Sequence, residues 1–215
     1  MKRLFIALTI SGMAALPGWS VAATDGDIER GRDAAAVCVA CHQADGNGMH
    51  SPAGESWPRL AGLDAGYIAR QLQEYKSGQR QSPSMTPFAN MLTDQQVNDV
   101  AAYFSQLTPG AAGGGDTADA ATLALGKRLA LQGDWSRYLV SCKSCHGPDN
   151  QGAGSVFPGI AGQHAGYIEA QLKAWQAGTR KNDAQDLMGT IARRMSDADI
   201  QAVAAWLSTQ PAQSN

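Results

Sequence analysis

Cys38-Val39-Ala40-Cys41-His42 and Cys142-Lys143-Ser144-Cys145-His146, offset by 104 positions, hold every cysteine of the chain. Two thiols one helical turn apart can add to the two vinyl groups of a single haem. The histidine that follows is then carried to one face of the iron as its proximal ligand. Three rival chemistries fit less well. A structural zinc site sets its cysteine pairs about 15–20 residues apart, whereas Cys41 and Cys142 are 101 apart. A thioredoxin-like dithiol needs a βαβ setting, and no alternating strand pattern is present. Two short disulfides suit an exported chain but leave the following histidine unexplained both times. The expectation is two covalently attached haem c groups, anchored by Cys38 and Cys41, and by Cys142 and Cys145. His42 and His146 are then the proximal ligands to iron.

Outward from the motifs, the whole unit repeats. Trp57-Pro58-Arg59-Leu60-Ala61-Gly62 returns as Phe157-Pro158-Gly159-Ile160-Ala161-Gly162 at an offset of 100. The same offset carries Ala65-Gly66-Tyr67-Ile68 onto Ala165-Gly166-Tyr167-Ile168, Gln71-Leu72 onto Gln171-Leu172, and Gly78 with Arg80 onto Gly178 with Arg180. A period near 100 residues is a domain duplication rather than a solenoid. Residues 24–108 form the expected first lobe and 119–215 the second. The Gly-rich stretch between them, 109–118, reads as a linker too poor in anchoring side chains to order itself.

The periodicity inside each lobe is helical. Val97, Val100, Ala101 and Phe104 fall at i, i+3, i+4 and i+7, as do Ile200, Val203, Ala204 and Leu207. Thr93 with Gln96 makes a capping box, and Ser196 with Asp199 a weaker one. A middle helix is expected near 65–77, with its copy bearing Ile168, Leu172 and Trp175. First helices are expected near 27–37 and 120–132, ahead of each cysteine pair. The fold class is all-α: two tandem haem lobes joined by the linker.

A haem held in this way lacks only its sixth ligand. His50 and His164 have no histidine counterparts in the other lobe and read as loop or surface residues. Methionine repeats better: Met85 lies eight residues before Thr93 and Met188 eight before Ser196. They follow their proximal histidines by 43 and 42 residues. Met85 and Met188 are therefore the expected distal ligands. Met91 aligns with Arg194, and Met195 with Leu92, which cannot ligate iron. Leu92 and Met195 also precede the helix caps, where a hydrophobic staple to Val97 and Ile200 gives them a packing role.

At its start the chain carries Lys2 and Arg3, an apolar run over 4–16, and the small-residue site Val21-Ala22-Ala23. This is the pattern of a secretory signal over residues 1–23, cleaved after Ala23; the run is well short of the ~20 residues that span a bilayer. A net charge of −2 over 215 residues and a pI near 6.0 offer no footprint for nucleic acid. Residues 24–107 hold ten acids and six bases, while 116–215 hold nine of each. The lobes should therefore steer partners differently, a basic one preferring the first.

Both halves resemble class I cytochromes c, and their tandem arrangement is similar to the dihaem cytochrome c4 family. The resemblance rests on the two motifs and on the Pro-x-Leu/Ile-Ala-Gly and Ala-Gly-Tyr-Ile-x-x-Gln-Leu segments. It implies two three-helix haem lobes, the axial pairs His42/Met85 and His146/Met188, and Pro58 and Pro158 near the proximal side. It also implies periplasmic electron transfer, often at the membrane surface, with a redox protein donor and acceptor such as a membrane-bound oxidase or dehydrogenase. Two departures stand out: Gln43 follows the first motif where glycine is common, and the loop 49–56 is longer than its copy. Trp57, Leu60, Phe157 and Ile160 are candidates to wall the haems. A one-electron carrier is the favoured reading, with a cytochrome subunit of a larger complex as the alternative. An enzyme, such as a peroxidase or thiosulfate-oxidising cytochrome, usually needs an open iron or a cysteine ligand, and the thioethers consume every cysteine.

Overall fold

The computed structural model describes residues 26–214; the signal sequence expected over 1–23 lies outside them. The elements run α1 (Ile28–Ala34), α2 (Val39–His42), α3 (Ala65–Ser77), α4 (Thr86–Met91) and α5 (Asp94–Gln106) in the first lobe. They run α6 (Ala120–Leu131), α7 (Lys143–His146), α8 (Ala165–Gln176), α9 (Leu187–Ala192) and α10 (Asp197–Ser208) in the second. Each lobe thus holds three long or middle-length helices, plus a short one at the cysteine motif and another beginning beside Met85 or Met188. Among the described residues β-pairing is confined to isolated bridges, such as Met49 with Trp57 and Ala153 with Phe157. No helix among them is long and apolar enough to cross a membrane.

The helix ends follow their local chemistry. Asp27, Asp64 and Asp119 cap α1, α3 and α6 by accepting a backbone N–H three residues on. Thr93 and Ser196 both form complete capping boxes, with Gln96 and Asp199 reaching back to the cap N–H. The apolar faces then build two cores. Ile68, Leu72, Val97, Val100 and Phe104 gather in the first, and Leu129, Ile168, Leu172, Ile200, Val203 and Leu207 in the second. Leu92 and Met195 are buried in these cores with Val97 and Ile200, as the staple requires.

In each lobe the first helix crosses the last at a glycine. A Cβ on Gly31 would stand 2.0 Å from the Asp99 carbonyl oxygen, and one on Gly126 2.0 Å from that of Ala202. Only a bare Cα allows this approach. The first crossing is locked by Arg30, whose Nε donates to the buried Asp99 at 2.9 Å. That bond holds the Asp99 carboxyl down at about 2. In the second lobe Arg137 reaches Asp199 at 2.7 Å. Against burial, which pushes it up, Arg137 and Ser196 hold that carboxyl at about 2.

The lobes and the linker are tied together by groups the sequence reading passed over. Arg59, buried, donates to the carbonyls of Gly162 (3.0 Å), Ala161 (3.1 Å) and Ala61. Gln163 exchanges a pair of hydrogen bonds with the Arg59 backbone, at 2.9 and 3.0 Å. The linker, expected to lack anchors, finds them in the lobes: Gly110 N donates to Asn47 and Gly113 N to His164 Nδ1, at 2.5 and 2.9 Å. The expectation failed because the anchors belong to distant residues and bond the linker's backbone. His164 is likewise no surface residue. It is buried between the lobes, and with Nδ1 accepting from Gly113, its Nε2–H donates to the Asn47 carbonyl at 2.9 Å.

Candidate haem sites

Both cysteine motifs take the same backbone form. Cys38 and Cys142 stand at the N-caps of α2 and α7, and the histidine N–H returns to the first cysteine's carbonyl at 2.9 Å in each. No disulfide joins any two of the four cysteines, so the disulfide alternative has no counterpart in the structure. Burial pushes the Cys38 and Cys142 thiols up to about 11.

The two histidine rings share one arrangement. His42 Nδ1–H donates to the Pro58 carbonyl at 2.9 Å, and His146 Nδ1–H to that of Pro158 at 2.7 Å. This bond fixes the tautomer and the ring plane and leaves Nε2 free to ligate. His42 Nε2 is buried without a hydrogen-bond partner, a costly state for a polar atom unless another group completes it. Burial holds both imidazoles below their ordinary pKa and so in the neutral, ligating form. Pro58 and Pro158 thus act near the histidines through their carbonyls.

Met85 caps α4 at its start and lines one cleft with His42, Trp57 and Pro58. Tyr75 and Arg80 of the first lobe, and Tyr167, Gln171 and Arg180 of the second, line it as well. Met188 lies in the first turn of α9 rather than in a loop. It packs against the second core together with Cys142 and Ile160. Phe157 stands edge-on to His146, ring centroids 6.2 Å apart, and Leu60 packs against the first core. Met91 is 66% exposed. His50 lies 3.4 Å from Ser56 Oγ, away from either cysteine motif in hydrogen bonding.

One cluster went unassigned in the sequence although both of its halves repeat. Arg80 donates to Gln71 (2.8 Å), Tyr167 (2.9 Å) and Gln171 (2.9 Å), and Arg180 to Gln171 at 2.6 Å and Gln71 at 3.3 Å. Both arginines are buried, and these partners are neutral. Two buried cations beside His42 and Met85 suit an anionic edge, such as the propionates of a haem. The return of Gly78 with Arg80 as Gly178 with Arg180 was the available signal. The residues present therefore fit a haem: Cys38, Cys41 and His42 would hold one, and Cys142, Cys145 and His146 the other.

Comparison with known proteins agrees. The family model for cytochrome c matches residues 28–108 and 123–211. The chain is 47% identical over 178 residues to the thiosulfate dehydrogenase electron acceptor of Stutzerimonas stutzeri, covering 81% of this chain and 79% of that protein. It is 36% identical over 209 residues to cytochrome c4 of Pseudomonas aeruginosa, covering 96% and 98%. Among solved structures, reduced recombinant cytochrome c4 from Pseudomonas stutzeri superposes with a TM-score of 0.77 at 33% identity, over 86% of this chain and all of that one.

Proposed function

The chain belongs to the cytochrome c family, in its two-lobed cytochrome c4 group, and from that premise we propose that it is a periplasmic one-electron carrier between respiratory-chain redox proteins. Its cofactors are two covalently attached haem c groups, which supply reversible one-electron iron chemistry. The protein's own work is to hold and shield them. In this reading the four cysteines anchor the groups, and the Pro58 and Pro158 carbonyls orient His42 and His146. Met85 and Met188 would supply the remaining protein ligand to each iron. With a methionine and a histidine both held as ligands, the potential would be raised and no position would be left for a substrate. The observation that supports this most strongly is the placement of Met85 in one cleft with His42, whose buried Nε2 lacks a partner. The test is ligand binding: carbon monoxide should leave the reduced spectrum unchanged at both sites. A carbon monoxide adduct in the native protein would instead indicate an open iron and an enzyme.

A second reading concerns the donor. The identity of 47% to a thiosulfate dehydrogenase electron acceptor exceeds the 36% to cytochrome c4. We propose that a thiosulfate dehydrogenase is the physiological donor, with a membrane-bound oxidase as acceptor. Oxidised protein mixed with such a dehydrogenase and thiosulfate should be reduced at both haems, and should remain oxidised when the dehydrogenase is left out. Reduction by thiosulfate alone would make this chain the catalyst.

A further inference from the structure

Each methionine is pinned by a side-chain acceptor on its own backbone N–H, and the two acceptors differ in charge. In the first lobe Met85 N donates to Ser82 Oγ at 3.1 Å. In the second, Met188 N donates to Asp183 Oδ2 at 2.6 Å, and Gly189 N to the same oxygen at 3.3 Å. The other carboxylate oxygen, Asp183 Oδ1, is buried with no hydrogen-bond partner. The approach to Met188 is also strained. Gln185 and Asp186 both take left-handed backbone, φ 59° and 55°, and no residue between Ser82 and Met85 does. Non-glycine residues keep such angles only where their surroundings over-determine them. Here the restraints are the Asp183 clamp on one side and an ion pair from Arg193 to Asp186 on the other.

We propose that Asp183 is the positioning residue for Met188 as sixth ligand of the second haem, and that its carboxylate sets that haem's potential apart from the first. This rests on the assignment of Met188 as a ligand. A charge-assisted bond at the end of a strained turn decides where the methionine backbone sits, and hence whether its sulfur can stay on the iron. The carboxylate also brings a negative charge to the ligand loop, where Ser82 brings none. Ferric haem carries one more positive charge than ferrous, so a nearby carboxylate favours the oxidised form. Arg193, directly after α9, is paired chiefly with Asp186 and also feels the Asp183 carboxylate.

The test uses the dihaem protein with Asp183→Asn, Asp183→Ala and Met188→Ala, reading the ferric haem–methionine charge-transfer absorption and both potentials. Asp183→Asn keeps an acceptor for the Met188 N–H. It should retain the full absorption while one potential rises and the other stays. Asp183→Ala loses the clamp, and about tenfold less imidazole should displace the methionine from one haem. If Met188→Ala halves the absorption but both Asp183 variants match the parent in potentials and imidazole sensitivity, the clamp is refuted and the ligand stands. If Met188→Ala leaves the absorption whole, the ligand assignment itself falls, and the proposal with it.

Discussion

Gln43, directly after His42, holds φ 63° and ψ 163°, while its counterpart Gly147 holds 78° and 171°. That region is essentially reserved for glycine, and a side chain there costs about 1–3 kcal/mol. Gln43→Gly should therefore stabilise the first lobe by roughly that amount, seen as a higher denaturant midpoint at unchanged slope; no gain would mean the angle carries no strain. The departure was legible as a missing glycine, but its consequence needed the backbone. The choice among the methionines rests on the repeat and two helix caps, which give each a distinct environment. Met195 lies in the second core and Met91 at the surface. Met85→Ala and Met188→Ala should each remove half of the charge-transfer absorption and lower one potential. Met91→Leu and Met195→Leu should leave both features intact. Loss of the first-lobe absorption in Met91→Leu, with Met85→Ala unaffected, would reverse the choice.

At the scale of elements, the expected middle helix near 65–77 is α3, Ala65–Ser77, because a regular apolar face, an Asp cap and a terminal glycine all mark it. The Ser196 box, read as weak, is complete, since Asp is long enough to reach the cap N–H when α10 is otherwise regular. What periodicity could not reveal is the crossing of α1 over α5. A close backbone contact leaves a small residue but no pattern, and Gly31 looks like any helix-interior glycine. Propensity alone says that Gly31→Ala gains up to about 1 kcal/mol. The 2.0 Å approach to Asp99 reverses the sign, and we expect a loss of about 1–3 kcal/mol from overpacking. Thermal melting of the dihaem protein checks this, and a stabilised Gly31→Ala variant would show that α1 can shift without cost.

For the molecule as a whole, the duplication and the all-α class were readable from repeated motifs, whereas the lobe interface was not. Arg59 faces Gly159 in the repeat and His164 faces Asp64, so these two joining residues break the alignment, whereas the Arg80 and Arg180 cluster that also joins the lobes keeps it. His164 supplies a pH dependence. It accepts from Gly113 on one nitrogen and donates to Asn47 from the other, which only the neutral ring can do. Burial pulls its pKa below the ordinary 6.5, and His50 and Arg59 nearby act in the same direction. A histidine whose folded pKa is depressed lends stability above its unfolded pKa and loses it as pH falls from there toward the folded value. The melting temperature should thus fall below about pH 6.5 in the native protein, and fall less in His164→Gln; equal profiles would place the titration elsewhere. The account as a whole stands on two closed, low-spin irons that exchange single electrons. A spectroelectrochemical titration tests that most directly. It should resolve two one-electron steps that together account for all the haem, with charge-transfer absorption equal to two methionine-ligated irons in the fully oxidised protein. A single step covering half the haem, or absorption matching only one methionine-ligated iron, would contradict it.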